Sequence, residues 1–152
     1  AVLYDNLERL KLNAEIFYAS SDKLDLLASV NYYTYSLDEQ MEAWNMPSWD
    51  ASISIGYKAT EQLSLSADIF LTGQRKALIL EEPSIFSSSL LPTHKSNNLD
   101  AIFDLNVKGN YQLTSKFSVF AQLNNFGFQK YQQWFGYPVQ SFNFLAGISY
   151  AF

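Results

Sequence analysis

The sequence predicts an all-β chain: an antiparallel up-and-down transmembrane β-barrel segment of about seven strands, the C-terminal part of a larger barrel spanning residues 1–152. Three observations predict it. Seven segments alternate apolar and polar residues with a period of two, the mark of a half-buried strand. Four of them finish alike. Tyr18, Tyr57 and Tyr111 are each followed three residues later by Ser or Thr (Ser21, Thr60, Thr114) and six later by Leu or Phe (Leu24, Leu63, Phe117), and Tyr150 closes the last segment before Phe152. Finally, the connections alternate short and long, as in outer-membrane barrels whose short turns face the periplasm.

The first segment sets Leu10, Leu12, Ala14, Ile16 and Tyr18 on one face and Lys11, Asn13 and Glu15 on the other. The second puts Leu24, Leu26, Ala28, Val30 and Tyr32 opposite Asp25, Ser29 and Asn31. In the third, Trp49, Ala51, Ile53, Ile55 and Tyr57 oppose Asp50, Ser52, Ser54 and Gly56. In the fourth, Leu63, Leu65, Ala67, Ile69 and Leu71 oppose Ser64, Ser66 and Asp68. The fifth sets Phe103, Leu105, Val107 and Tyr111 against Asp104, Asn106, Lys108 and Asn110. The sixth sets Phe117, Val119, Ala121 and Leu123 against Ser118, Gln122 and Asn124. The seventh sets Phe142, Phe144, Ala146, Ile148, Tyr150 and Phe152 against Asn143, Gly147 and Ser149.

Ala19 to Lys23, Lys58 to Gln62 and Gln112 to Lys116 read as short turns; Ser36 to Ser48, Gln74 to Asn98 and Asn125 to Gln140 read as long loops. Pro47, Pro83, Pro92 and Pro138 all fall in the long loops, where no ladder donor is lost.

Alternation alone leaves open which face points outward. A soluble lipocalin-like barrel or sandwich would turn the Leu and Ile face into a closed interior. Three features favour lipid against that face. The polar face is mostly small Ser, Asn and Asp. Aromatic residues gather at both strand ends, Tyr18, Tyr57, Tyr111 and Tyr150 at one and Tyr32, Trp49, Phe103 and Phe142 towards the other, as interfacial girdles do. The apolar face carries no charge, which fits a midplane cost of roughly 2–4 kcal/mol for a charged side chain.

Composition excludes several classes. Apolar residues are 48% and aromatics 16%, yet no run of about 20 apolar residues exists, so no membrane-spanning helix is expected. Charged residues reach 16%, against roughly 25% in soluble domains. Cysteine is absent, which excludes disulfides and thiolate metal sites. A net charge of −5 argues against a nucleic-acid partner. Ala1 does not open a signal peptide, so export calls for a leader upstream or already removed.

The count places the final strand descending to the periplasmic face and the residues before Leu7 at the opposite rim. Seven is odd, whereas single-chain bacterial barrels use even numbers. A sheet with open edges cannot sit in lipid, where unpaired backbone groups cost several kcal/mol each. The chain is therefore expected to continue a longer polypeptide, unless an eighth strand lies inside Ala77 to Phe86.

The stretch Phe117 to Tyr131, FSVFAQLNNFGFQKY, resembles the penultimate strand of TonB-dependent outer-membrane receptors, through Asn124, Asn125, Phe126, Lys130 and Tyr131. An aromatic loop with Gly136-Tyr137-Pro138 follows, then the closing strand SFNFLAGISYAF. That strand is also similar to the signal read by the barrel-assembly machinery, through Gly147, Tyr150 and Phe152. Leu145 stands where a polar residue is expected, so this match is partial. The resemblance implies a 22-stranded barrel around a plug, with this chain as roughly its last third. It implies an outer-membrane location, outer-membrane lipid, the rest of the barrel and a plug as partners, and room for a surface lipoprotein.

No catalytic, cofactor or metal site is expected. His94 is the only histidine and has no partner at ligand or nucleophile spacing, so it reads as a solvated loop residue. Asp38, Glu39, Glu42 and the pair Glu81-Glu82 read first as solubilising loop charge and second as a divalent-cation or lipopolysaccharide contact. Trp44, Tyr131, Trp134, Phe135 and Tyr137 form an aromatic loop set. Packing or interfacial anchoring is the plainer reading; the sharper one is an extracellular ligand surface at a barrel mouth, carried by Trp44, Tyr131, Trp134 and Tyr137. Lys11, Glu15, Asp68, Asp104 and Lys108 are expected to pair with one another or with a plug.

Three functions remain: a receptor barrel importing a nutrient, a non-transporting barrel scaffolding an envelope complex, and a soluble barrel binding an apolar ligand.

Overall fold

In the computed structural model, which describes residues 5–20, 22–81 and 93–152, every regular element is a strand. Seven of them build one antiparallel sheet. In chain order they are β1 (Leu7–Ser20), β2 (Leu24–Leu37), β3 (Trp49–Lys58), β4 (Leu63–Thr72), β7 (Ile102–Gln112), β8 (Phe117–Asn124) and β11 (Asn143–Tyr150). Each sequence-predicted strand is present, and each pairs with its neighbour in that order.

The recurring turn-side motif has a physical cause. Thr60 Oγ1 accepts hydrogen bonds from the Gln62 and Leu63 backbone amides at 3.2 and 3.0 Å. Thr114 Oγ1 accepts from Lys116 and Phe117 at 3.3 and 3.1 Å. Both turns also close with matching backbone bonds, Ala59 N and Thr60 N to Leu63 O, and Leu113 N and Thr114 N to Phe117 O. A hydroxyl three residues beyond the tyrosine thus satisfies the donors that a tight reversal leaves bare. Ser21, at the equivalent position of the first turn, lies outside the described residues.

The register puts the aromatic residues where the sequence expected them. Tyr57 faces both Leu24 and Leu65, and Tyr150 faces Phe117 at the turn end. Tyr32 faces Trp49, and Phe103 faces Leu71, near the loop end. Between Leu24 and Tyr32 the second strand offers the nine or so residues that cross a bilayer. Beyond Tyr32 the same face turns polar, with Thr34 and Ser36 on β2 and Glu8 on β1.

The Leu and Ile face has no cover. Leu10, Leu12 and Ile16 are 62%, 59% and 66% exposed, so the apolar side chains do not converge on a closed interior as a soluble barrel requires. The polar face is knitted by cross-strand bonds: Asn13 to Asn31 at 2.8 Å, Asn31 to Asp50 at 2.7 Å, Ser54 to Asp68 at 2.7 Å and Asn124 to Asn143 at 2.8 Å. Alternation hid some apolar residues on that face. Phe17 pairs with Leu27, and Phe70 and Phe120 share the side of Asp104 and Gly147.

Two expected loops carry structure. The connection from Gln74 to Asn98 contains a hairpin of β5 (Arg75–Glu81) and β6 (Thr93–Leu99), forming its own two-stranded sheet. β5 occupies the place considered for an eighth strand, but it pairs only with β6 and does not extend the seven-stranded sheet. The connection from Asn125 to Gln140 holds a small hairpin of β9 (Gln132–Trp134) and β10 (Tyr137–Pro138). The deepest side chains of the described residues, Arg75, Ala77, Leu99 and Asn125, belong to this loop end rather than to the wall.

Candidate functional site

Three long connections meet at the loop end and are tied to one another through residues 75 and 76. Arg75 donates from Nη1 to Gln133 O and from Nη2 to Gln132 O, both at 2.8 Å, so β5 is clamped to β9. The Asn45 amide donates to Lys76 O at 2.7 Å, and Lys76 pairs with Glu42, which fastens the connection between β2 and β3 to the same hairpin. Asn45 accepts this geometry in the left-handed region, φ 60°, where Asn is tolerated.

Asn125 organises the third connection. It is 3% exposed and sits at φ 50°. Its amide donates to Asn106 Oδ1, its Nδ2 to Gln129 O at 2.8 Å, and its Oδ1 accepts from Gln129 N. This is the physical content of the Asn-Asn-Phe element: a residue whose side chain holds the strand end to its own loop and whose backbone amide ties it to β7. Phe128 follows at φ 54°, a conformation costing a non-glycine residue roughly 1–2 kcal/mol, and its ring stacks on Phe142 at 4.8 Å.

Below these ties, on the polar face of the wall, opens a cleft of about 340 Å³. Phe70 and Thr72 of β4 and Ile102 and Asp104 of β7 form its floor; Asn45, Arg75, Tyr131 and Trp134 form its sides. Tyr131 donates its hydroxyl to Asp104 Oδ2 at 2.8 Å. Burial first, and then the hydrogen bond and charge of Asp104, push the Tyr131 phenol up to about 12. Burial likewise pushes the Arg75 guanidinium down, against the favourable influence of Tyr131.

The four aromatics expected to form one ligand surface do not gather in one place. Tyr131 and Trp134 line the cleft. Tyr137 is the cross-strand partner of Trp134 in the small hairpin and is 73% exposed. Trp44 lines a separate hollow with Met41 and Leu78, its Nε1 donating to Gln40 Oε1 at 3.1 Å. Phe135 borders a third hollow with Asn97, Asp100 and Gln132.

Of the polar-face charges, none of Lys11, Glu15, Asp68, Asp104 and Lys108 forms an ion pair with another among the described residues, which leaves the expected alternative of a plug. Asp68 accepts from Ser54 and Asp104 from Tyr131, while Lys11 lies over the Tyr33 ring and Lys108 over Phe120. Among the described residues no three His, Asp or Glu side chains converge on a metal site. The side chains of Glu81, Glu82 and His94 fall outside what the structure describes.

Gly147, Tyr150 and Phe152 lie on or just beyond the edge strand β11. Gly147 faces Phe120, and a Cβ there would stand 2.7 Å from two atoms of that ring. Tyr150 and Phe152 meet edge to face at 5.4 Å and are otherwise uncovered.

No family model matches the chain, and no curated protein does either. Solved structures do. The ferripyoverdine receptor of the outer membrane of Pseudomonas aeruginosa, bound to ferripyoverdine, superposes with a TM-score of 0.79 over 96% of this chain at 14% identity. The fold is that of a segment of an outer-membrane β-barrel wall. The complex of FpvAI with pyocin S2 gives 0.78 over 96% at 14% identity, and the ferric enterobactin receptor of P. aeruginosa gives 0.67 over 93% at 16%. The chain spans about a fifth of the length of each: 20%, 19% and 22%.

Proposed function

We propose that this chain is the C-terminal wall of a TonB-dependent-type receptor barrel in a bacterial outer membrane, which imports a nutrient. Siderophore receptors such as those it resembles are the guide to the nutrient class. The Leu and Ile face meets lipid, the Ser, Asn and Asp face lines the conduit, and the tied loops form the outer capture rim. Tyr150 and the short turns stand at the periplasmic side. β1 and β11 each present an unpaired edge to the rest of the barrel, and a plug covers the polar face. Gly147, Tyr150 and Phe152 present the assembly signal.

The observation that carries this reading is the uncovered, girdled apolar face on a wall whose backbone follows a ferripyoverdine receptor over nearly its whole length. A water-soluble sheet exposing Leu10, Leu12 and Ile16 together would associate through that patch.

The test uses the full-length protein encoded by the parent reading frame. Expressed in a Gram-negative strain lacking its own siderophore receptors, it should restore growth on ferric siderophore under iron limitation. A parent without a plug-like domain, or one that restores no uptake across a siderophore panel, would remove the transport reading and leave a scaffold barrel.

A further inference from the structure

Hydrogen-bonding groups left without partners are concentrated in one place. Among the described residues, the buried side-chain polar atoms lacking any partner are Asn45 Oδ1, Arg75 Nε and Asp104 Oδ1. All three residues line the rim cleft. Each such atom costs about 1–3 kcal/mol relative to a satisfied one, and native structures keep few of them without a reason.

Arg75 is the sharpest case. It is 5% exposed, both terminal nitrogens are held by backbone carbonyls, and no carboxylate pairs with it among the described residues. A buried cation without a counter-charge is costly unless something completes it. Asp104 has the opposite problem: one oxygen takes the Tyr131 hydroxyl, and the other takes nothing. Asn45 spends its backbone amide on Lys76 and leaves its side-chain carbonyl unmet.

The vacant set is thus one donor and two acceptors, with one positive and one negative charge between them. A bare anion would meet Arg75 but also the Asp104 carboxylate. A bare cation would meet Asp104 but also Arg75. A group carrying a carboxylate beside its own N–H donors satisfies all three. Trp134 and Phe70, 56% and 47% exposed at the cleft, offer ring surface to the chain that bears it. The three atoms are covered as they stand, so engagement requires the side chains to turn into the cleft.

We propose that the rim cleft is a subsite for an amino-acid-like or peptide-like group of a small ligand, its carboxylate on Arg75 and its N–H groups on Asp104 and Asn45. This rests on the reading of the polar face as the inside of a receptor.

The test is nuclear magnetic resonance of the full-length protein in detergent micelles with 15N-labelled arginine, glycylglycine serving as the probe. The Arg75 Nε–H signal, assigned by its loss in Arg75→Lys, should shift saturably as glycylglycine is added. Asp104→Asn and Asn45→Gly should each weaken the apparent affinity on the order of ten-fold. Asn45→Gly keeps the left-handed backbone accessible, and Arg75→Lys serves only to assign the signal, since a lysine cannot reproduce the forked bonds to Gln132 and Gln133. Inorganic phosphate should produce no saturable shift. An unmoved signal with glycylglycine, or an equal response to phosphate, overturns the proposal. Uptake that persists beside an unmoved signal removes this subsite alone; a saturable shift in a protein that transports nothing supports the subsite and removes the transport reading.

Discussion

Tyr131 donates its hydroxyl to Asp104 across 2.8 Å, and this bond joins the loop after β8 to the polar face of β7. One partner comes from the aromatic loop, the other from the seven-stranded sheet. The contact therefore couples rim position to wall. Removing the hydroxyl in Tyr131→Phe leaves Asp104 without its remaining partner, a loss of about 1–3 kcal/mol to the local structure. Hydrogen exchange of residues 126–140 in the full-length protein should quicken, while exchange in β2 and β3 stays unchanged.

The same phenol gives a pH signature. Its folded value of about 12 lies above the ordinary 10 of an unfolded tyrosine, because burial and Asp104 both disfavour the phenolate. The stabilisation is fully present below pH 10 and is lost as pH rises from 10 through about 12. A difference titration at 295 nm between the native protein and Tyr131→Phe should show one tyrosine ionising near pH 12 rather than 10.

Gly147 belongs to the assembly signal proposed for the closing strand, and it also makes room for the ring of Phe120 directly opposite on β8. Gly147→Ala should destabilise the barrel by roughly 1–3 kcal/mol through overpacking. The double variant with Phe120→Leu should recover most of that loss. Folding into lipid vesicles without any assembly machinery separates the roles. A Gly147→Ala protein that folds there normally, and fails only in cells, would assign the glycine to recognition instead.

The threonine turns offer a check on the repeat. Thr60→Ala and Thr114→Ala each remove two bonds to backbone amides. Each should lower stability by roughly 0.5–1.5 kcal/mol, and Ser replacements should keep most of it. Denaturant unfolding of the full-length barrel in micelles would read the difference.

The wall was legible in the sequence because a half-apolar strand writes its faces into consecutive residues. Leu10 to Tyr18 and Phe142 to Phe152 need no distant information to be read. The tyrosine-threonine repeat was equally local, and the structure supplies its hydrogen bonds. The loop end was harder to read. β5 and β6 pair Arg75 with Leu99 and Lys76 with Asn98, and Thr-His-Lys-Ser-Asn-Asn-Leu has no apolar alternation to announce a strand. Arg75 stands beside Lys76 ahead of an apolar run with no local mark of its role, which depends on the carbonyls of Gln132 and Gln133, more than fifty positions away. Tyr131 and Trp134 line one cleft while Trp44 and Tyr137 lie on other surfaces, a separation that only the fold shows.

The most direct measurement asks which face meets hydrocarbon. The chain contains no cysteine, so single cysteines can be placed at Leu12, Ile53 and Val107 on one face and at Ser54 and Asn106 on the other. In the full-length barrel reconstituted into vesicles, fluorophores at the first three should be quenched by lipids brominated along their acyl chains. Those at Ser54 and Asn106 should respond only to an aqueous quencher. Lipid quenching at Ser54 and Asn106, with Leu12, Ile53 and Val107 shielded from it, would contradict the account.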